Sequence, residues 1–309
     1  MGWESWLIST FARALAYGTP LLLGTLGEIY AERAGVLNLG IEGMMIMGAY
    51  SAFVVSYKTG HPWLGILVAA MVGGVFSLIH AFASITLKAN QVVSGLALTM
   101  LGLGLAGVLG RSMVGTPLFT SLHRITVPGL STIPIIGPGF FTHQNLLVYI
   151  TMLLVLILWY ILFHTRVGIT IRAVGESPET ADSLGVNVAR VRYLCVVVGG
   201  IFAGVAGAYL SVGYRPAWTE GMTGGMGWIV IALTIFAFWN PIYGLLGSYF
   251  FASLYHLSYR LQAWISPELL KAMPYVFAII ILILVSRGTV QKRRGAPAAL
   301  TIPYTRGEE

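Results

Sequence analysis

Nine apolar runs constrain this chain more than any other feature in it. They cover residues 9–30, 36–57, 62–87, 91–111, 145–164, 191–213, 226–239, 241–260 and 272–287. A helix needs about 20 predominantly apolar residues to cross the hydrocarbon core of a bilayer, and most of the runs have that length. The seventh is short and reads as a half-helix or a re-entrant piece, so totals of eight to ten spans are compatible with the pattern. Only 9% of the residues are charged and the mean hydropathy is +0.81, whereas soluble domains carry about 25% charged residues. The expected fold is an all-α polytopic membrane protein of about nine transmembrane helices. Residues 1–290 form one transmembrane domain and residues 291–309 a basic tail. A single cysteine, Cys195, excludes an intrachain disulfide and a cysteine metal cluster. The opening M-G-W-E-S-W lacks the basic start of a cleavable signal. Trp6 stands where a myristoylation motif needs Ser or Thr.

Lysine and arginine orient the chain. With the 166–192 loop and the C-terminal tail (Arg287, Lys292, Arg293, Arg294, Arg306) on the cytoplasmic side, nine spans also put Arg33 and Lys88 inside. Eleven basic residues then lie inside and seven (Arg13, Lys58, Arg111, Arg124, Arg215, Arg260, Lys271) outside or near outer helix ends. The sign is that of the positive-inside rule, so the net charge of +7 reflects membrane topology rather than nucleic-acid binding. The N-terminus is expected outside and the C-terminus inside. Trp63, Trp159, Trp239 and Trp264 sit at span ends, as interfacial aromatics do.

The longest organised polar stretch is Arg166 to Arg192. Arg166, Arg172, Arg190 and Arg192 flank a short helix with its own punctuation. Ser177 suits the N-cap, where its hydroxyl accepts from a free backbone N–H. Pro178 suits the first helical position, where its missing N–H has no partner to lose. Glu179 and Asp182 complement the positive end of the helix dipole, and Gly185 after Leu184 suits a left-handed C-terminal cap. Such a helix is either a plain connector between spans or a docking element for a soluble partner. The outer loop 112–144, with Pro117, Pro128, Pro134 and Pro138, either folds over the outer mouth or merely connects.

Glu28 to Glu42 is the densest polar cluster near membrane depth. Glu28 and Glu32, and likewise Asn38 and Glu42, are four apart and share a helix face. A hairpin in water accounts for Glu32 and Arg33. Glu42 leads into Gly43-Met44-Met45, and Gly35, Gly40 and Gly43 break the helix around it. Unwound backbone at membrane depth is tolerated where it is buried in protein or lines a cavity, so Asn38, Glu42 and Met45 are candidates for a substrate pathway. Glu-Gly-Met recurs at Glu220, 178 residues later. Spans 1–4 and 6–9 have opposite orientations in the nine-span arrangement, the pattern of an inverted repeat, with Glu42 near the inner side and Glu220 near the outer. Tyr30, Tyr50 and Trp228 could stack on a base or simply pack.

Gly200/Gly204 and Ala203/Gly207 are small-xxx-small pairs for close helix packing. The letters of a dinucleotide fingerprint at Gly102–Gly107 lie inside an apolar span without a preceding strand and carry no weight. No catalytic set is present. The six histidines lack metal-ligand spacing, His80 reads as a hydrogen-bonded packing residue, and a P-loop is absent.

Several stretches resemble the permease subunits of bacterial ABC importers for nucleosides and simple sugars, within the group that includes ribose and branched-chain amino-acid permeases. They are G-E-I-Y-A-E-R-A-G-V-L-N-L-G-I-E-G-M-M (27–45), N-Q-V-V-S-G-L-A-L (90–98), T-R-V-G-I-T-I-R-A-V-G-E-S-P-E-T-A-D-S-L-G-V-N-V (165–188), W-N-P-I-Y-G (239–244), M-P-Y-V-F (273–277) and A-P-A-A-L (296–300). The resemblance spans the chain and is nearest to the shorter subunit of the permease pair. Phe236-Ala237-Phe238 departs from it, since relatives often have a glycine-containing turn there. The resemblance implies a type II ABC importer-like bundle in the bacterial inner membrane. It implies a second homologous permease subunit, a cytoplasmic ABC ATPase that binds ATP and Mg, and an extracytoplasmic substrate-binding lipoprotein. This chain would hold no cofactor and catalyse no reaction. Ser177, Pro178, Glu179, Thr180, Asp182, Ser183, Leu184 and Gly185 would form the helix that couples to the ATPase. The pathway would include Asn38, Glu42, Met45, Glu220 and Trp228, and the cargo would be purine nucleosides or a simple sugar, moved by alternating access. An ion-coupled secondary transporter using Glu28 or Glu42 is the alternative from another class, followed by a channel and a membrane-embedded enzyme.

Overall fold

The computed structural model describes residues 3–134, 136–262 and 295–306, with isolated positions between 265 and 279. The helices are α1 (Trp3–Arg33), α2 (Ile41–Thr59), α3 (Pro62–Ala81), α4 (Gln91–Gly110), α5 (Ile136–Phe140), α6 (Leu146–His164), α7 (Arg166–Glu176), α8 (Pro178–Ser183), α9 (Val188–Tyr209), α10 (Met226–Phe236) and α11 (Pro241–Leu261). Two short π-helical turns, 82–86 and 210–214, extend α3 and α9. Eight of the nine apolar runs coincide with helices. The ninth, 272–287, lies outside the described residues, as do the M-P-Y-V-F motif apart from Val276, Trp264, Lys271 and the tail basics Arg287 to Arg294.

Burial separates the helices into an inner and an outer set. Helix α1 is enclosed from Ala14 onward, with Leu21, Leu22, Leu26 and Ile29 fully buried. It packs against α9, α11 and α10. Its polar residues are accommodated locally: Thr19 and Thr25 donate to the carbonyls of Leu15 and Leu21 at 2.7 and 2.8 Å. Helices α3, α4 and α6 are peripheral and present Leu67, Met71, Val75, Met100, Val108, Leu153 and Leu156 outward. Apolar side chains facing outward on long helices suit lipid or another membrane helix rather than water. Among the described residues four helices, Pro62–Thr86, Gln91–Met113, Leu146–His164 and Val188–Tyr214, are long and apolar enough to cross a membrane, and the chain is a multi-pass membrane protein. Close approach of α9 to α2 and α3 depends on its small residues. A Cβ on Gly204 would overlap the carbonyl of Ala69, and one on Gly207 the carbonyl of Met45.

The run at 226–239 is a half-helix, as its length suggested: α10 has 11 residues, or about 16 Å at 1.5 Å per residue. A glycine turn with positive φ at Gly221, Gly224 and Gly225 precedes it, and left-handed Phe238 and Trp239 follow it. The 112–144 loop is not a loose connector. Its amides at Gly115, Leu118 and Leu122 donate to the carbonyls of Trp218, Pro216 and Val212, and its short strand Arg124–Ile125 pairs antiparallel with Gln144–Asn145. The loop therefore folds back over one end of the bundle. His80 is fully buried, with its ring nitrogens 3.0 Å from the Ser94 hydroxyl and the Leu37 carbonyl, the packing role expected of it.

Candidate functional site

The 166–192 stretch holds two helices where the sequence pattern marked one. Thr165 caps α7 by accepting from the Gly168 amide at 3.2 Å. Helix α7 buries Gly168, Ile171, Val174 and Gly175 on one face, a polar-sided amphipathic helix that a search for apolar runs passes over. Ser177 then breaks the backbone (φ −148°, ψ 88°) and caps α8 through the Thr180 amide at 3.4 Å. Pro178 is the first helical residue, and Gly185 closes the turn at φ +84°, its amide donating to the Asp182 carbonyl at 2.8 Å. The caps are those read from the sequence. Ala181 anchors α8 in a small cluster with Val174 and Val188, joined by Tyr304. Glu179, Thr180, Ser183 and Leu184 are exposed, Leu184 to 80%. Leu184 thus stands as an exposed apolar side chain at the end of a capped, anchored turn.

Arg192 was read as one edge of that polar stretch, yet it is 2% exposed. Its Nε donates to the Ala34 carbonyl and its Nη1 to the Ile302 carbonyl, both at 3.1 Å. Part of the expected tail is thus built into the fold: residues 295–306 lie against α7, α8 and the end of α1.

The Glu28–Glu42 cluster is not a hairpin in water. Glu28 and Glu32 are each 1% exposed, because α1 is enclosed at that level. Glu28 accepts from the Asn38 amide at 3.0 Å, and Glu32 accepts from the Trp239 indole N–H. Arg33 donates to the carbonyls of Trp239 and Phe238, both at 3.1 Å. Those two residues are left-handed without being glycine (φ 52° and 51°), a conformation that costs of order 1–3 kcal/mol per residue unless the surroundings hold it. Phe238 belongs to the Phe236-Ala237-Phe238 stretch, and the Glu32–Arg33 clamp holds this left-handed turn without a glycine. Trp239 is therefore a buried, hydrogen-bonded residue rather than an interfacial one.

Glu42 is 4% exposed and sits at the start of α10. Its carboxylate accepts from the Thr223 hydroxyl and from the amides of Gly225, at 2.9 Å, and Gly227. Free amides and the positive dipole end of a half-helix offer a carboxylate the partners that lipid cannot. Gly227 has to be glycine here, since a Cβ would lie 2.4–2.8 Å from atoms of Glu42. Glu42 is thereby bonded to Thr223, Gly225 and Gly227, the stretch that follows the second Glu-Gly-Met segment. The apolar runs align with helices but carry no information about which loop returns to which depth.

Of the pathway candidates, Asn38, Glu42 and Met45 are interior, and only Glu220 and Trp228 are exposed. Trp228 is 39% exposed. Glu220 lies over Gly107 of α4, 3.6 Å from where a Cβ would be. Glu220 thus borders α4, and a Cβ added at Gly104 of that helix would meet nothing within 4 Å. Among the described residues no group of three or more His, Cys, Asp or Glu is placed to hold a metal ion.

Comparison with known proteins agrees with this architecture. The family model described as branched-chain amino acid transport system / permease component matches residues 10–286. TsgC13 of Haloferax volcanii, named as a candidate glucose ABC transporter permease protein, is 40% identical over 93% of this chain and 94% of its own length. NupQ of Bacillus subtilis, a guanosine ABC transporter permease protein, is 35% identical over 95% of each chain. NupC of Lactococcus lactis, a nucleoside ABC transporter permease protein, is 36% identical over 88% of this chain and 90% of its own. The last two organisms each hold a second, more distant relative, NupP and NupB, at 25% and 24% identity. No solved structure matches the chain. The family match covers most of the chain, including the α7–α8 unit, the half-helix and the Glu32–Arg33 clamp, so this protein belongs to the branched-chain amino acid transport system / permease component family and is an ABC transporter permease subunit, not an enzyme.

Proposed function

We propose that this chain is one half of the membrane channel of an ATP-driven, binding-protein-dependent importer of purine nucleosides in a bacterial inner membrane. It pairs with a second, homologous permease, receives cargo from an extracytoplasmic lipoprotein, and is driven by a cytoplasmic ABC ATPase that binds ATP and Mg. The ion-coupled, channel and enzyme alternatives lose their basis with membership of this family.

The carrying observation is α8: a capped helix whose buried residues are Pro178 and Ala181, with Glu179, Thr180, Ser183 and Leu184 left exposed. An ATPase binding that face would place the 166–192 loop and the C-terminus in the cytoplasm. Motion of α8 would pass through α7 to α1, α9 and the half-helix α10. Substrate would travel along the exposed side of α4, past Glu220 and Trp228. A carboxylate there is favourable in water or against a polar partner and costly in lipid. Asn38, Glu42 and Met45 would then support that wall from behind.

Glu179→Lys and Leu184→Asp, alone and together, should weaken co-purification with the ATPase and reduce ATP-dependent uptake at least about tenfold, equivalent to roughly 1.4 kcal/mol. Unchanged co-purification and uptake would rule out α8 as the docking element. Nucleosides are favoured by the names of NupQ and NupC. A simple sugar is the second reading, supported by TsgC13 at 40% identity. Thermal-shift screening of the cognate lipoprotein against guanosine, adenosine and glucose separates them, and a shift with glucose alone would overturn the nucleoside assignment.

A further inference from the structure

Residues 295–306 make more specific contacts than a solvated basic tail requires. The Ala299 amide donates to the Gly175 carbonyl at 2.9 Å, and the Ala298 amide to Glu176 Oε2 at 3.3 Å. Both acceptors belong to the end of α7. Further along, Arg306 Nε is 3.0 Å from Asp182 Oδ2, in α8. Lys88 Nζ donates to Thr305 Oγ1 at 2.8 Å, and Arg192 joins the Ile302 carbonyl to the Ala34 carbonyl at the end of α1. Pro297 and Ala299 are buried, Leu300 packs with the apolar cluster around Leu158 and Leu162, and Tyr304 with that around Ala181. A cavity of about 270 Å³ remains between the segment and the start of α8, bordered by Glu176, Pro178, Glu179, Ile302, Pro303 and Tyr304.

The contacts fall on both sides of the Ser177 break. Helix α8 has six residues, far fewer than the roughly 12–15 an isolated helix needs to persist in water, and it is joined through an irregular residue at one end and left-handed Gly185 at the other. A short helix between two such joints swivels unless something crosses them. The 295–306 segment grips α7 before the first joint and α8 after it. The exposed Arg306–Asp182 ion pair contributes little by itself; on α7 the grip comes from the backbone hydrogen bonds, with Arg192 tying the segment to α1 and α9, and on α8 from Tyr304 packed into the cluster around Ala181.

We infer that residues 295–306 are a strap that splints the α7–α8 joint and fastens it to the ends of α1 and α9, so that displacement of α8 moves those helices instead of bending the joint. This rests on the proposed docking of the ATPase at α8. It assigns the strap a positioning role in coupling, distinct from contact with the ATPase itself.

The test uses two variants of the full complex reconstituted in vesicles: a chain ending at Arg294, and Ala299→Pro, which removes the amide bonded to Gly175 without shortening the chain. In both, hydrogen exchange of the amides of residues 177–185, measured on the purified permease, should rise about tenfold or more, as local opening becomes easier. The ATPase should still co-purify, while substrate moved per ATP hydrolysed falls at least fivefold. If the shortened chain fails to fold, Ala299→Pro decides. Unchanged exchange, or an unchanged transport-to-hydrolysis ratio, overturns the strap. Loss of ATPase binding in both variants also overturns it, since the segment would then be part of the docking contact. Leu184→Asp separates the two claims: if that variant binds and transports normally, docking at α8 is wrong, while the exchange measurement still judges the splint.

Discussion

At the scale of single residues, the protein holds its buried carboxylates by aiming one or more N–H groups at each. Glu32 depends on the Trp239 indole, and Trp239 in turn is held by Arg33 at its carbonyl. Trp239→Phe keeps most of the ring but strips the donor from a carboxylate that is 1% exposed. An unsatisfied buried polar group costs about 1–3 kcal/mol, more when charged. Trp239→Phe should therefore lower the unfolding temperature in detergent markedly, whereas Trp159→Phe, half-buried against His164, should lower it less. Equal shifts for the two variants would contradict the clamp.

At the scale of elements, α10 exists as a half-helix because a side chain on α2 receives its free amides. Replacing that acceptor removes the reason for the helix to start where it does. Glu42→Gln presents an NH2 group to three donors and offers one carbonyl oxygen in place of two carboxylate oxygens. It should cost about 1–3 kcal/mol and raise hydrogen exchange at Gly225 and Gly227. Exchange at those amides that matches the unmodified protein would show that the cap is dispensable. Helix α8 illustrates the opposite case, an element whose punctuation is complete in its own residues. Gly185→Ala, at φ +84°, should cost about 1 kcal/mol locally and register as faster exchange in 177–185, with little change in global unfolding.

At the scale of the whole molecule, the outward faces of α3, α4 and α6 are uncovered among the described residues. Helix α4 is exposed along most of its length, and Gly104 in its middle has no neighbour within 4 Å. A second permease packed there would close a pathway past Glu220 and Trp228. Gly104→Trp should leave the thermal stability of the isolated chain within about 0.5 kcal/mol of the unmodified one, the usual range for surface changes. It should reduce pairing with the second permease and abolish uptake. A variant that pairs and transports normally would move the pathway to another face.

Apolar length alone located eight helices, because spanning a bilayer requires about 20 apolar residues wherever the segment lies. Capping chemistry located α8, since Ser177, Pro178 and Gly185 act on backbone within a few residues of themselves. Both kinds of signal are local in the chain. The amphipathic α7 escaped because Arg, Thr, Gly and Glu interrupt its apolar residues before any run forms, and its burial comes from neighbours far away in sequence. Partnership and burial were settled only by tertiary packing. Glu28, Glu32 and Arg192 look like hydrated charges until α1 and α9 are enclosed. Glu42 finds its donors 181 to 185 residues away. The strap reaches Gly175 and Arg192 across more than a hundred residues. Side-chain type and spacing along a chain determine which backbone conformations are affordable; which carboxylate meets which helix end depends on how close two elements come, and that is a property of the packed bundle.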